Sequence, residues 1–184
     1  MELEQLIPWV RRGDELAWEA FVRRFQGRVF ALAHHYTDDP EDARDLAQEV
    51  FVKVYRNLHA LPDADGCLPW LLRITRNACL DHLRRMKARP TFGEVPVEEL
   101  AGLRTTELDP EAAHLDAARK AEVHRALGEL TDLNREILLL KEIQGLSVEE
   151  VAAILEVPVG TVKSRSHRAR LELAEKLAAA GLGA

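Results

Sequence analysis

Cysteine is scarce in this chain of 184 residues: Cys67 and Cys79 are the only two, and no CxxC spacing links them. That excludes a disulfide framework and a cysteine-rich zinc site. No apolar run approaches the roughly 18 residues that a membrane helix needs. The opening Met1-Glu2-Leu3-Glu4 is acidic, without the basic start and apolar core of a secretory signal. Strand signals are nearly missing too, with no Asn-Gly hairpin turn and few alternating β-branched runs. What remains is 47% hydrophobic and 30% charged, the balance of a soluble globular protein, expected in the reduced cytoplasm.

Apolar residues recur instead with a period near 3.6. The pattern predicts helices over 2–11, 14–36, 40–59, 68–87, 110–128, 132–143, 147–155 and 158–178. Asp14 suits the N-cap of the second, with Phe21, Phe25 and Leu32 on its apolar face, and Pro40 suits the first turn of the third. The turn residues of Leu61–Cys67 predict a loop. From Arg89 to Asp109 the periodicity fades among Pro90, Gly93, Pro96, Gly102 and many acids. Asp109-Pro110 then pairs an N-cap with a first-turn proline. The expected fold is all-α: two small helical domains, 1–88 and 110–184, joined by an extended linker, 89–109. Its 21 residues could span at most roughly 70–75 Å.

The net charge of −6 is unevenly spread. Residues 61–90 carry six basic groups against three acids, residues 91–118 one against seven, and residues 159–184 five against two. Two basic segments therefore flank an acidic middle, and a local patch is the nucleic-acid footprint to expect. The acidic stretch is open to two readings, a segment that mimics nucleic acid or a solvated connector.

The basic C-terminal segment belongs to a two-helix pattern running from Gly145 to Arg170. Ser147 and Glu150 form a capping box that starts the first helix, and Val151, Ala152 and Leu155 supply its inward face. Val157-Pro158 makes the turn, with small Gly160 at the expected close crossing. On the second helix Val162, Ala169 and Leu173 share one side. Thr161, Ser164, Arg165 and Arg168 lie broadly opposite, with Lys163, His167 and Arg170 on a flank. This is a helix-turn-helix offering a recognition helix to a major groove, where arginine can read guanine and hydroxyls can meet phosphates or base edges. Ser166 projects inward, and its hydroxyl is expected to bond back to the carbonyl of Val162.

The first module carries two contrasting helices. Between Asp42 and Arg56, Ala43, Leu46, Ala47, Val50 and Val54 fall on one arc, and Asp42, Asp45, Gln48 and Glu49 on the other. The helix from Pro69 to Arg85 is strongly basic and ends in a cationic cluster. One module thus pairs an acidic protein-docking face with a basic nucleic-acid face.

The string Asp42 to Arg56, then Trp70-Leu71-Leu72-Arg73-Ile74-Thr75-Arg76-Asn77 with Asp81, Arg84 and Arg85, resembles regions 2.1 to 2.4 of bacterial sigma-70-family factors. Arg135 to Lys141 followed by Gly145 to Arg170 resembles region 4. The order, spacing and brevity match the extracytoplasmic-function (ECF, group 4) class, over nearly the whole chain. The resemblance implies a sigma factor, a promoter-specificity subunit of RNA polymerase rather than an enzyme, needing no cofactor. It places Asp42, Asp45, Gln48 and Glu49 on the clamp helices of the largest core subunit. It places Arg73, Arg76, Asn77, Asp81, Arg84 and Arg85 on the −10 element, and His59–Gly66 at an unstacked base of the non-template strand. It assigns Thr161, Lys163, Ser164, Arg165, His167, Arg168 and Arg170 to the −35 element. An anti-sigma factor is the further partner it implies. The chain departs from the family at Ser166, where an aliphatic residue is common, and has few aromatics in region 2 beyond Trp70.

Two other functions compete. A LuxR-type regulator shares similar Glu-Glu-Val-Ala and Gly-Thr-Val-Lys strings, and would bind duplex without core polymerase; the Asp42–Arg85 module argues against it. A small DNA-processing enzyme would need a nucleophile or clustered carboxylates, and no such set is legible. Adjacent His34 and His35 point about 100° apart on a helix and have no partner carboxylates in the pattern, so no metal site is expected. Cys67, in the predicted loop, and Cys79 are read as reduced packing residues.

Overall fold

The computed structural model describes residues 2–37, 39–88, 122–123 and 125–181. It divides into two compact units, Met1–Glu99 and Leu100–Ala184, and every regular element among the described residues is helical. The all-α architecture of two helical units is the one the sequence led us to expect. The expected linker and the Asp109-Pro110 start lie outside the described residues, as does most of the helix expected over 110–128, of which 122–123 and 125–128 are described and helical.

In the first unit, α1 (Leu3–Arg11), α2 (Glu15–Thr37), α3 (Pro40–Tyr55) and α4 (Ala64–Ala88) form a bundle in which α2 packs against the other three. The Asp14 carboxylate accepts the Ala17 N–H at 2.8 Å, capping α2 as expected. Asp39 does the same for α3, accepting from Glu41 and Asp42 at 2.7 and 3.0 Å, with Pro40 in the first turn. Phe21, Phe25, Val29 and Leu32 of α2 and Ala43, Leu46, Ala47, Val50 and Val54 of α3 are buried. Phe21 lies between Trp18 and Phe25, with ring centroids 5.6 and 4.8 Å away.

Three expectations need correction here. α3 ends at Tyr55 rather than near 59, and a 3₁₀ turn, Leu58–Ala60, follows. The predicted loop Leu61–Cys67 shrinks to residues 61–63, because α4 begins at Ala64. Gly66 is helical, and a Cβ there would come within 3.2 Å of the Pro62 Cβ. Its glycine answers a close approach between loop and helix, not a turn. Arg11 holds the short connection in place, donating from Nε to the Leu61 carbonyl at 2.8 Å and from Nη2 to the Asp63 carboxylate at 2.7 Å.

Cys67 consequently sits on α4 and is fully buried, as is Cys79. Burial pushes the Cys67 thiol up to about 11, against the opposing pull of Arg11 and Arg24. The thiolate is the reactive form, and at pH 8 it amounts to a fraction on the order of 10⁻³. Thiol reagents are expected to spare Cys67 in the folded chain at pH 8 and to modify it once urea unfolds the unit. Stoichiometric labelling of Cys67 in the native chain, read by mass spectrometry, would contradict this.

In the second unit, α5 (Asp132–Leu138) runs directly into a π-helical turn, Leu139–Ile143, which completes the helix expected over 132–143. The wider turn shows in the Gln144 N–H donating to the Leu139 carbonyl at 2.9 Å. Gly145, at φ +76°, then reverses the chain in a conformation that costs glycine nothing. The capping box stands as expected: Ser147 Oγ accepts from the Glu150 N–H at 3.2 Å, and the Glu150 carboxylate accepts from the Ser147 N–H at 2.7 Å. α6 (Val148–Leu155) and α7 (Val159–Ala179) meet at Glu156, a left-handed residue with φ 58°. The core is built from Ile137, Leu140, Val151, Val162 and Ala169, all 0% exposed.

Two readings of α7 fail. A Cβ on Gly160 would meet nothing within 4 Å, so no close crossing requires this glycine. Ser166 is buried as expected, but its Oγ has no hydrogen-bond partner, not even the Val162 carbonyl. An unpartnered buried hydroxyl costs about 1–3 kcal/mol. Ser166→Ala is therefore expected to stabilise the second unit by about 1 kcal/mol. Trp9, Trp18 and Trp70 all lie in the first unit, so the gain would be read by far-UV circular dichroism of urea unfolding, in the transition that tryptophan fluorescence does not report. A lower midpoint would overturn the assignment.

Candidate functional site

The outward face of α3 forms a shallow groove of mixed charge lined by Asp45, Gln48, Glu49, Val52, Lys53 and Arg56. Asp42 sits one turn earlier and does not line it. The buried arc of the same helix fixes this orientation, since Leu46, Ala47, Val50 and Val54 face the core. Glu49 accepts from Lys53 at 2.9 Å and lies 3.8 Å from Arg85 of α4. The Lys53 hydrogen bond, helped by the charges of Lys53, Arg85 and His82, holds its carboxyl below the usual carboxylate range despite some desolvation. Val52 is 47% exposed in the groove. Val52 is absent from the docking residues expected from the sequence, although an apolar residue out of phase with the buried arc is a signal for it.

On α4, Arg73, Asn77, Asp81, Arg84 and Arg85 are exposed and Arg76 is half-buried. Leu71, Leu72, Ala78 and Cys79 anchor the opposite side in the core, and the buried Thr75 hydroxyl donates to the Leu71 carbonyl at 2.9 Å. At helical spacing Arg73, Asn77 and Arg84 align as one stripe, with Asp81 beside it. Asp81 organises the basic end: its carboxylate accepts from Arg84 Nη1 at 2.9 Å and its carbonyl from Arg85 Nε at 3.3 Å. The expected base-capturing segment His59–Gly66 comprises the end of the 3₁₀ turn, the extended residues 61–63 and the first turn of α4.

All seven residues expected to meet the upstream element lie on α7, but they are not equivalent. Lys163, Ser164, His167, Arg168 and Arg170 are exposed, whereas Thr161 and Arg165 are half-buried. Ser164 Oγ donates to the Thr161 carbonyl at 3.1 Å. Arg165 Nη1 reaches back to Asn134 Oδ1 on α5 at 3.4 Å. On the other flank Arg170 Nε lies 3.8 Å from Glu142 of the π turn. Lys141 hydrogen-bonds Glu142 at 2.8 Å; that bond, helped by the charges of Lys141 and Arg170, lowers the Glu142 pKa. Asn134 and Glu142 were missed in the sequence, where neither stands out from an ordinary helix.

Residues 21–89 match the Sigma-70 region 2 family and residues 120–173 the Sigma-70, region 4 family. The RNA polymerase sigma-H factor of Pseudomonas aeruginosa is 35% identical over 173 residues, covering 91% of this chain and 89% of that protein. The chain belongs to the sigma-70 family. The ECF RNA polymerase sigma-E factor of Escherichia coli is 34% identical over 177 residues, covering 94% of this chain and 92% of its own. That similarity places the chain in the extracytoplasmic-function class. The solved sigma factor RpoE of Bartonella quintana, in complex with the anti-sigma factor NepR, matches with a TM-score of 0.64 and 25% identity over 86% of this chain and 95% of its own. As a sigma factor the chain acts with core RNA polymerase in promoter-specific transcription initiation. A regulator that binds duplex without core would leave the region 2 match without a role.

Among the described residues no helix is long and apolar enough to cross a membrane, and no three His, Cys, Asp or Glu side chains converge as metal ligands. His34 stacks on Phe30 at 5.8 Å, and His35 packs on Tyr36 at 5.0 Å.

Proposed function

We propose a division of labour within this sigma factor: residues 1–88 dock on core polymerase and take the −10 element, 89–109 connect, and 110–184 hold the −35 element. The α3 groove, through Asp45, Gln48 and Glu49 with Asp42 a turn earlier, receives the clamp helices of the largest core subunit. The α4 stripe of Arg73, Asn77 and Arg84, with Asp81 beside it and Arg76 and Arg85 on opposite flanks, follows the −10 element, and α7 enters the major groove upstream. What carries this reading is the first unit's pairing of a groove on α3, where exposed Val52 lies among Asp45, Gln48, Glu49, Lys53 and Arg56, with the arginine-bearing stripe on α4. A chain that only bound duplex would need the second alone. An anti-sigma partner covering these faces follows from the reading, and the Bartonella quintana factor was solved with such a partner. The work is that of a cytoplasmic, non-enzymatic specificity subunit.

Run-off transcription with purified core polymerase on a genomic fragment library tests this. Discrete initiated transcripts are expected when the chain is added to core. No core association together with no initiated transcripts would sink it.

A further inference from the structure

Asn134 is a polar side chain only 3% exposed, at the contact between α5 and α7. Its Nδ2 donates to Glu172 Oε2 at 3.2 Å, while its Oδ1 accepts from Arg165 Nη1 at 3.4 Å. A carboxylate can only accept and a guanidinium can only donate, so this pair fixes the amide in one orientation. Arg165 and Glu172 are seven residues apart on α7, roughly 10.5 Å along the axis, and both reach the same amide. Asparagine is the side chain that bridges them: aspartate would face Glu172 with a second negative charge, and leucine would leave both groups without their buried partner.

We infer that Asn134 is a positioning residue for Arg165, committing that guanidinium to a backbone phosphate of the upstream duplex rather than to a base edge. The inference rests on the proposed role of α7 as the −35 reader. Ser164, His167 and Arg168 form the exposed central ridge of α7, and a helix lying in a groove presents its ridge to base edges and its flanks to the sugar–phosphate walls. Arg165 sits on a flank, half-buried and drawn toward α5. Asn134 takes one of its N–H donors, so the rest of the guanidinium fork is left for phosphate oxygens. Glu172 in turn holds the amide so that its oxygen, not its nitrogen, faces the arginine.

The test uses holoenzyme assembled from the full chain and core polymerase, bound to a duplex pool randomised over the upstream element and then to one duplex taken from that pool. Arg165→Ala is expected to weaken binding several-fold and to reduce the slope of log Kobs against log salt by about 0.9, the loss of one phosphate contact. Asn134→Leu is expected to reduce that slope by about 0.5 or more, with base preference unchanged, and the double variant to be no weaker than Arg165→Ala. Glu172→Ala, on the half-exposed side of the relay, should lower the slope in the same direction, and it decides the matter if Asn134→Leu does not fold. Parental slopes in Asn134→Leu or Glu172→Ala would overturn the inference. So would a changed preference at a single base pair in Arg165→Ala, or additive losses in the double variant. Arg168→Ala separates this from the underlying reading: it should relax base preference at one position. If no α7 substitution alters binding at all, the −35 assignment itself fails.

Discussion

Truncating Phe21 to alanine is expected to cost the first unit about 3–5 kcal/mol, the range for an aromatic removed from a packed core. Phe21 is 0% exposed on the central helix of the bundle, in ring contact with Trp18 and Phe25. The neighbours available to collapse into the space are themselves held: Trp18 also packs on Phe51 and Tyr55, with centroids 6.2 and 5.1 Å away. A unit of this size has only about 5–15 kcal/mol of total stability to lose. With a urea m-value of about 1–3 kcal/mol/M, the midpoint should fall by at least 1 M or so. Tryptophan fluorescence follows this unit selectively, because it holds all three tryptophans. A midpoint within experimental scatter of the parent would show that Phe21 does not anchor the core.

The second large effect is functional. Replacing Asp45 with lysine is expected to weaken association with core polymerase by about 2–5 kcal/mol, and to abolish initiated transcripts at protein concentrations that saturate the parent. Asp45 is exposed in the α3 groove. Asp45→Lys reverses a charge without touching the core or any other cation's partner. Glu49 would be a poorer site for this test, since it holds Lys53 and lies beside Arg85. Its loss would release two cations as well as remove an anion. Duplex binding by the full Asp45→Lys chain without core should match the parent, because the proposed upstream reader, α7, lies in the other unit. Loss of core association and duplex binding together would count against the division of labour.

The parts of this protein written in local spacing were legible in advance. The capping box of Ser147 and Glu150, the Asp14 cap, and the buried arcs of α2, α3 and α7 each depend on residues within a few turns, and each stands as expected. What escaped depends on residues far apart in the chain or on space that no pattern encodes. Gly66 signals a turn, whereas its place is set by Pro62 packed against it. Gly160 signalled a crossing where there is open space. For Ser166, helical geometry allows a bond back to the preceding turn that this packing does not supply. Asn134 meets partners 31 and 38 residues away, a relation beyond the reach of any helical period. The placement of all seven proposed upstream contacts on one helix is therefore legible in local spacing, while the inequality among its arginines is not.

The turn joining α6 to α7 has a consequence for how the recognition helix is aimed. Glu156 adopts φ 58° without being glycine, a conformation costing an ordinary L-residue about 1–2 kcal/mol. A bend that is locally uphill cannot be what orients the helices on either side. The bend is imposed by Val151, Ile154 and Leu155 of α6 and by Val162 of α7, whose burial outweighs it. The crossing of the two helices is thus encoded in their apolar contact and merely followed by the connector. Glycine at 156 would relieve the strain without moving the helices, but a new shape at Leu155 or Val162 would re-aim α7 and with it the face proposed to meet the −35 element.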